Sequence, residues 1–139
     1  MTFLEDKQSL RLAAARKIVE AAEAFAASQG WNISVAVVDA GGSIICVERM
    51  DGAIIGSVAI AEHKARTAVE FKCPTKDLQG GVEAGVLSLL KLDILPFEGG
   101  IPIVVNGQIV GAVGASGHSA SGDGQVAQAG ADWAKKGLS

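Results

Sequence analysis

The chain has no tyrosine, two cysteines, two histidines and only 4% aromatic residues among its 139 positions. Each scarcity removes a class of protein. Cys46 and Cys73 are isolated and make no CxxC, so a disulfide framework or a thiolate zinc site is excluded and reduced structural thiols are expected. His63 and His118 cannot furnish a three-histidine zinc site, and no HExxH is present. With so few rings, the core must come from Val, Ile, Leu and Ala. No apolar run reaches the ~20 residues of a membrane span. The opening MTFLEDKQSL is polar and acidic where an export signal is basic and then apolar, so a soluble cytoplasmic protein is expected. There is no basic run and the net charge is −3, which leaves nucleic-acid binding by phosphate neutralisation without support.

What is present points to one folded domain over residues 1–139, large enough to bury roughly two-thirds of its unfolded surface. Hydrophobic residues make up 49% and charged ones 19%, a balance that excludes disorder and suits a chain that hides surface in an oligomer. Leu10, Ala14, Ile18, Ala21 and Phe25 recur at spacings of three and four and predict a helix from about Leu4 to Ser28, stopped by Gly30. Ile33–Val38 and Ser43–Arg49 predict a hairpin around Asp39–Gly42. A second helix is expected over Ile54–Phe71, ending before Cys73-Pro74. A shorter one is expected near Val82–Lys91, weakened by Gly80, Gly81 and Gly85. Ile101–Val105 and Gln108–Ala115 flank Asn106-Gly107, the pair that a type I′ hairpin turn favours. A closing helix is expected from about Gly124 to Lys136, capped by Ser121 or Asp123, with Lys135 and Lys136 at its negative end and Gly137 as its stop. Hairpins favour antiparallel pairing, and helices at both ends can cover the sheet. The fold class is therefore α+β: a single-domain sandwich with a central antiparallel sheet flanked by helices.

Three places could carry chemistry. On the second helix, Lys64 sits amid a mostly apolar stripe with Thr67 one turn on. Either its ammonium reaches past the core into water, or Lys64 and Thr67 clamp a carboxylate or phosphate. Arg49 and Asp51 close the first hairpin, and Arg49 either grips a carboxylate with its planar fork or pairs with Asp51 or a glutamate to shape the strand-to-helix turn. The Gly114–Ser119 loop offers backbone donors and little bulk. Its glycines do not spell GxGxxG, there is no GK[ST], and Ser116 lacks the GxSxG frame, so known nucleotide and nucleophile motifs are absent. A triad assembled from Asp39, Asp51, Asp123, Ser116 and His118 is too easily drawn to carry weight. If the loop binds a guest, the following helix N-terminus favours an anion. His63 or His118 could serve as the single axial imidazole that haem needs.

Taken in order, Val37-Val-Asp-Ala-Gly-Gly42, Arg49-Met-Asp51, Lys64-Ala-Arg-Thr-Ala68, Pro74-Thr75, Glu98-Gly-Gly-Ile-Pro102, Asn106–Gly111, Ala112–Gly117 and Asp123 leading Val126-Ala127 resemble the GlcG/HbpS family. This is the haem-degrading domain family that includes the C-terminal domain of PduO-type proteins. No single piece is specific, but the ordered set spans nearly the whole chain. The resemblance implies a profilin-like sandwich assembled into tetramers or octamers. It also implies haem binding in some members, haem breakdown in a few, and links to glycolate or propanediol functions in others. The family's recurrent polar positions fall on Arg49, Asp51, Lys64, Thr67, Ser116 and Asp123, whereas His118–Gly122 departs from the GlcG-like pattern.

Two readings follow. The first is an oligomeric binding protein for a small, anionic ligand, with haem possible, whose ligand-binding residues are Arg49, Lys64, Thr67, Gly114, Ser116, Gly117 and His118. The second is a metal-free lyase, isomerase or hydratase. There Arg49 and Lys64 hold an organic acid, Asp51 or Asp123 moves a proton, and the Gly114–Gly117 amides steady an oxyanion. A scaffold whose polar groups only stabilise subunit contacts is the third, plainer alternative.

Overall fold

The structure, a computed structural model, describes residues 2–138. Four strands, β1 (Ser34–Asp39), β2 (Ile44–Arg49), β3 (Gly100–Val105) and β4 (Gln108–Ser116), form one antiparallel sheet in the order β2-β1-β4-β3. Alternation along the strands divides the core in two. Val35, Val37, Val113 and Ala115 face α1 (Leu12–Gln29) and α4 (Ala120–Gly137), where Ile18, Ala22, Val126 and Ala127 complete the larger cluster. Ala36, Val38 and Ala112 face α2 (Ser57–Phe71), which meets them with Ala61, Ala65 and Ala68. The expected α+β sandwich, with helices on both faces of an antiparallel sheet, is the observed fold. The small side chains let α2 lie close to the sheet. At Gly114 even a methyl is too much, because a Cβ there would run into the Ala61 carbonyl and the Ala65 amide.

Both hairpins form where the sequence places them. Asp39 Oδ1 accepts from the Gly41 and Ser43 amides and closes the first. In the second, Asn106 and Gly107 both take positive φ, 50° and 78°, as a type I′ turn requires. Helix boundaries need more correction. The first helix starts at Leu12, not Leu4, because the segment before it is extended: the Leu10 amide donates to Val110 O at 2.9 Å and Ser9 Oγ accepts from the Ala40 amide at 2.9 Å. Gly30 ends it in the left-handed region as expected. α2 begins at Ser57 rather than Ile54, since residues 51–56 form turns, and the Ser57 hydroxyl donates back to Ile54 O.

The expected helix over Val82–Lys91 is instead α3 (Thr75–Glu83) followed by a short 3₁₀ turn (Leu87–Lys91). Gly80 and Gly81 lie inside α3; the break comes at Gly85, with φ of 99°. The last helix begins four residues before the expected Gly124. Ser119, not Ser121 or Asp123, caps it by accepting from the Gly122 amide at 3.0 Å, so the loop after β4 is short and Asp123 lies in the first helical turn. Lys135 and Lys136 occupy the last turn as expected, while Gly137 is the final helical residue rather than a stop.

Candidate functional site

The short turn from β4 into α4 gathers the polar groups. β4 ends at Ser116, Gly117 turns the chain with φ of 137°, and His118 follows. Asp123, 2% exposed, then faces back toward them. Its Oδ1 accepts from the His118 amide at 2.9 Å and its Oδ2 from Lys64 Nζ at 3.1 Å. Lys64 crosses from α2 to reach it and also donates to Ala115 O at 3.0 Å. Its ammonium lies 5.1 Å from the centre of the Phe97 ring, a cation–π distance. Gly99 keeps this path open: a Cβ there would stand 2.6 Å from Ala115 O and 2.8 Å from Lys64 Nζ. Lys64 is fully buried, so its head does not reach water. Burial pushes its pKa down, opposed by the negative charges of Asp123 and Glu98.

A cleft of about 260 Å³ opens over this pair. Ile54, Ile60, Leu95 and Phe97 give it an apolar wall; Ser116, His118 and Asp123 supply polar atoms. The His118 side chain is exposed, and its imidazole stacks on the Trp31 indole at 4.2 Å and 17°. Trp31 in turn meets Phe25 edge-on at 6.1 Å. Close approach of His118 to α4 depends on Gly122, where a Cβ would come 2.6 Å from the imidazole.

The structure thus brings Lys64, Ser116, Gly117, His118 and Asp123 together. Thr67 is nearby but engaged, its Oγ1 accepting from the Leu95 amide at 3.0 Å, so it holds the segment that carries the apolar wall. Gly114 lies within β4, and the Ala115 amide donates to Gly99 O at 2.9 Å. Those backbone positions belong to the sheet rather than to a free loop. Arg49 pairs in register with Ser34, which pairs with Ser116, so it shares their face from about 10 Å away, two strands over. It is exposed and has no ion pair with Asp51. Asp51 lines a different hollow beside Glu20 and Glu23. There burial, with the adjacent Glu48 carboxylate, pushes Glu23 up to about 7.

His63 does not line the cleft: its buried Nε2 lies 3.3 Å from Asp93 Oδ1 without a hydrogen bond. Burial pushes both free thiols up, which fits inert structural cysteines. Among the described residues no cluster of three His, Cys, Asp or Glu could hold a metal ion, and no helix is long and apolar enough to cross a membrane.

Sequence reasoning missed the apolar wall and Trp31. In a chain this poor in rings, a tryptophan directly after a helix-stopping glycine and a lone phenylalanine beside Glu98-Gly99-Gly100 were the available signals. Neither has a periodicity that could show where it would face.

Known proteins similar to this chain supply the remaining context. Escherichia coli protein GlcG is 38% identical over 103 residues, 73% of this chain and 77% of its own. A double mutant of Streptomyces reticuli HbpS superposes with a TM-score of 0.85 at 35% identity, covering 93% of this chain and 89% of that one. The complex of PduOC with haem superposes at 0.80 and 29% identity, covering 89% and 94%. The family model for HbpS-like haem degrading proteins matches residues 10–132, and this chain belongs to that family.

Proposed function

We propose that this protein is an oligomeric small-molecule-binding protein whose ligand is haem, held at the cleft with His118 as the axial ligand. The observation that carries this reading is the His118 imidazole, exposed and stacked on Trp31 beside an apolar wall. The PduOC–haem complex among the structural neighbours lends it support.

The residues present fit such a guest in part. A cleft of about 260 Å³ is below the ~300–1,000 Å³ typical of enclosed ligand sites, so one edge of a flat macrocycle would enter it. The remainder would rest on Ile54, Ile55 and Phe97, which are 65%, 82% and 48% exposed. A second copy covering those side chains would complete the enclosure, which is the argument for an oligomer. Bound haem would supply an iron that accepts the imidazole nitrogen. The chain does the positioning: Trp31 holds the ring plane, Asp123 holds the His118 backbone, and Lys64 holds Asp123. Arg49, exposed on the same sheet face, offers a guanidinium to an anionic edge.

The organic-acid enzyme draws less support from this geometry. Lys64 is committed to Asp123 and Ala115 O, Arg49 stands two strands away from it, and Asp51 lines another hollow, so no two-cation carboxylate clamp is assembled.

Titrating hemin and recording the absorption spectrum tests the reading. His118→Ala should abolish the shift of the Soret band and His63→Ala should leave it intact. A shift that survives His118→Ala overturns the assignment.

A further inference from the structure

We propose that residues 2–7 form an exchange arm that seats Phe3 and Leu4 of one copy in an apolar groove of a second copy. The groove, about 630 Å³, lies between the start of α1, the β3–β4 hairpin and the end of α4. Ala14, Val105, Val110, Trp133 and Leu138 give it an apolar lining, while Arg11 and Lys17 stand at its side.

The arm has matching chemistry. Phe3 and Leu4 are 91% and 90% exposed, the most exposed large apolar side chains of the described residues, and Glu5 and Asp6 follow directly. Two apolar residues followed by two acids face an apolar groove flanked by two bases. Among the described residues, the hydrogen bonds that hold the arm lie at its root, the Leu10 amide on Val110 O and the Ala40 amide on Ser9 Oγ. In the single chain it leaves the groove unfilled while its own apolar side chains stand in water.

Geometry favours exchange. Gln8–Arg11, the root of the arm, lines the groove itself. A two-fold axis that brings two grooves face to face would set the root of each arm beside the other copy's groove, within reach of Phe3 and Leu4. Such an interface uses the same patch twice and closes at two copies.

Burying Phe3 and Leu4 is worth on the order of 100-fold or more in association per arm. Sedimentation velocity over a dilution series measures it. Phe3→Ser/Leu4→Ser, at exposed positions that leave folding intact, removes both arms of the pair and should raise the dissociation constant on the order of 10,000-fold or more. Ala14→Glu, which puts a carboxylate in the groove, should weaken association similarly, and the combined variant should be no worse than either. Glu5→Lys/Asp6→Lys should weaken association, and adding Arg11→Glu/Lys17→Glu should restore it. Superimposable mass distributions for the wild type and Phe3→Ser/Leu4→Ser at every concentration overturn the proposal. An arm seated in its own groove gives that same result.

Discussion

Replacing Lys64 with methionine keeps a long apolar stem and deletes only the ammonium. Asp123 would remain 2% exposed with a single donor, the His118 amide, where it now has two. Stranding one member of a buried ion pair costs about 3–5 kcal/mol. Set against a total stability of about 5–15 kcal/mol, that is a large share. With a urea slope of about 2 kcal/mol per molar, the unfolding midpoint should fall by roughly 2 M. Lys64→Met/Asp123→Asn removes both charges and retains an oxygen for the His118 amide, so most of the loss should return.

The pH dependence is a second check on the same group. Burial lowers the Lys64 pKa from 10.5 in the folded chain. Between the lowered value and 10.5, the unfolded chain binds the proton that the folded chain has released, so stability rises with pH across that window. The wild type should therefore gain stability as pH climbs toward 10.5, and Lys64→Met should lack that gain. Urea unfolding followed by circular dichroism measures both effects. A single-variant loss under about 1 kcal/mol, or an equal loss in the double variant, would refute the view that the two charges depend on each other.

Two further outcomes follow from packing and charge. Gly114→Ala places a methyl against the Ala61 carbonyl and the Ala65 amide, rigid helix backbone that cannot yield; a loss of about 1–3 kcal/mol or more is expected, and an unchanged melting temperature would contradict it. Glu23 is pushed from 4.5 up to about 7, so the folded chain holds a proton that the unfolded chain lacks between those values. Stability should fall as pH rises from 4.5 to about 7, and Glu23→Gln should flatten that slope in the same unfolding assay.

The local grammar of the chain was legible wherever a single residue decides the backbone. Asn106-Gly107 can hardly be anything but a tight hairpin turn, and Gly30 stops α1 because only a left-handed residue satisfies the last carbonyls. Boundaries failed where a tertiary bond competed with a periodic pattern. The helix expected from the spacing that starts at Leu10 reaches back to Leu4, yet the Leu10 amide is taken by Val110 O and the Ser9 hydroxyl by the Ala40 amide. The lysine at position 64 could be read as buried or snorkelling with equal ease, because its partner lies 59 positions away in sequence. Arg49 and Asp51 stand two apart, but the first faces the α2 side of the sheet while the second turns toward α1, a separation that spacing alone does not reveal.

The first turn of a helix is ordinarily its loosest part, with unshared amides that open and close far more often than the rest of the domain. In α4 that turn carries Asp123, tied through Lys64 to the helix on the far face of the sheet. Opening it would leave two opposite charges stranded in an apolar interior. Fraying there is therefore suppressed, and amides that would exchange quickly in an isolated helix become coupled to the opening of the whole domain. The cleft's polar wall rests on a helix end that keeps time with the core.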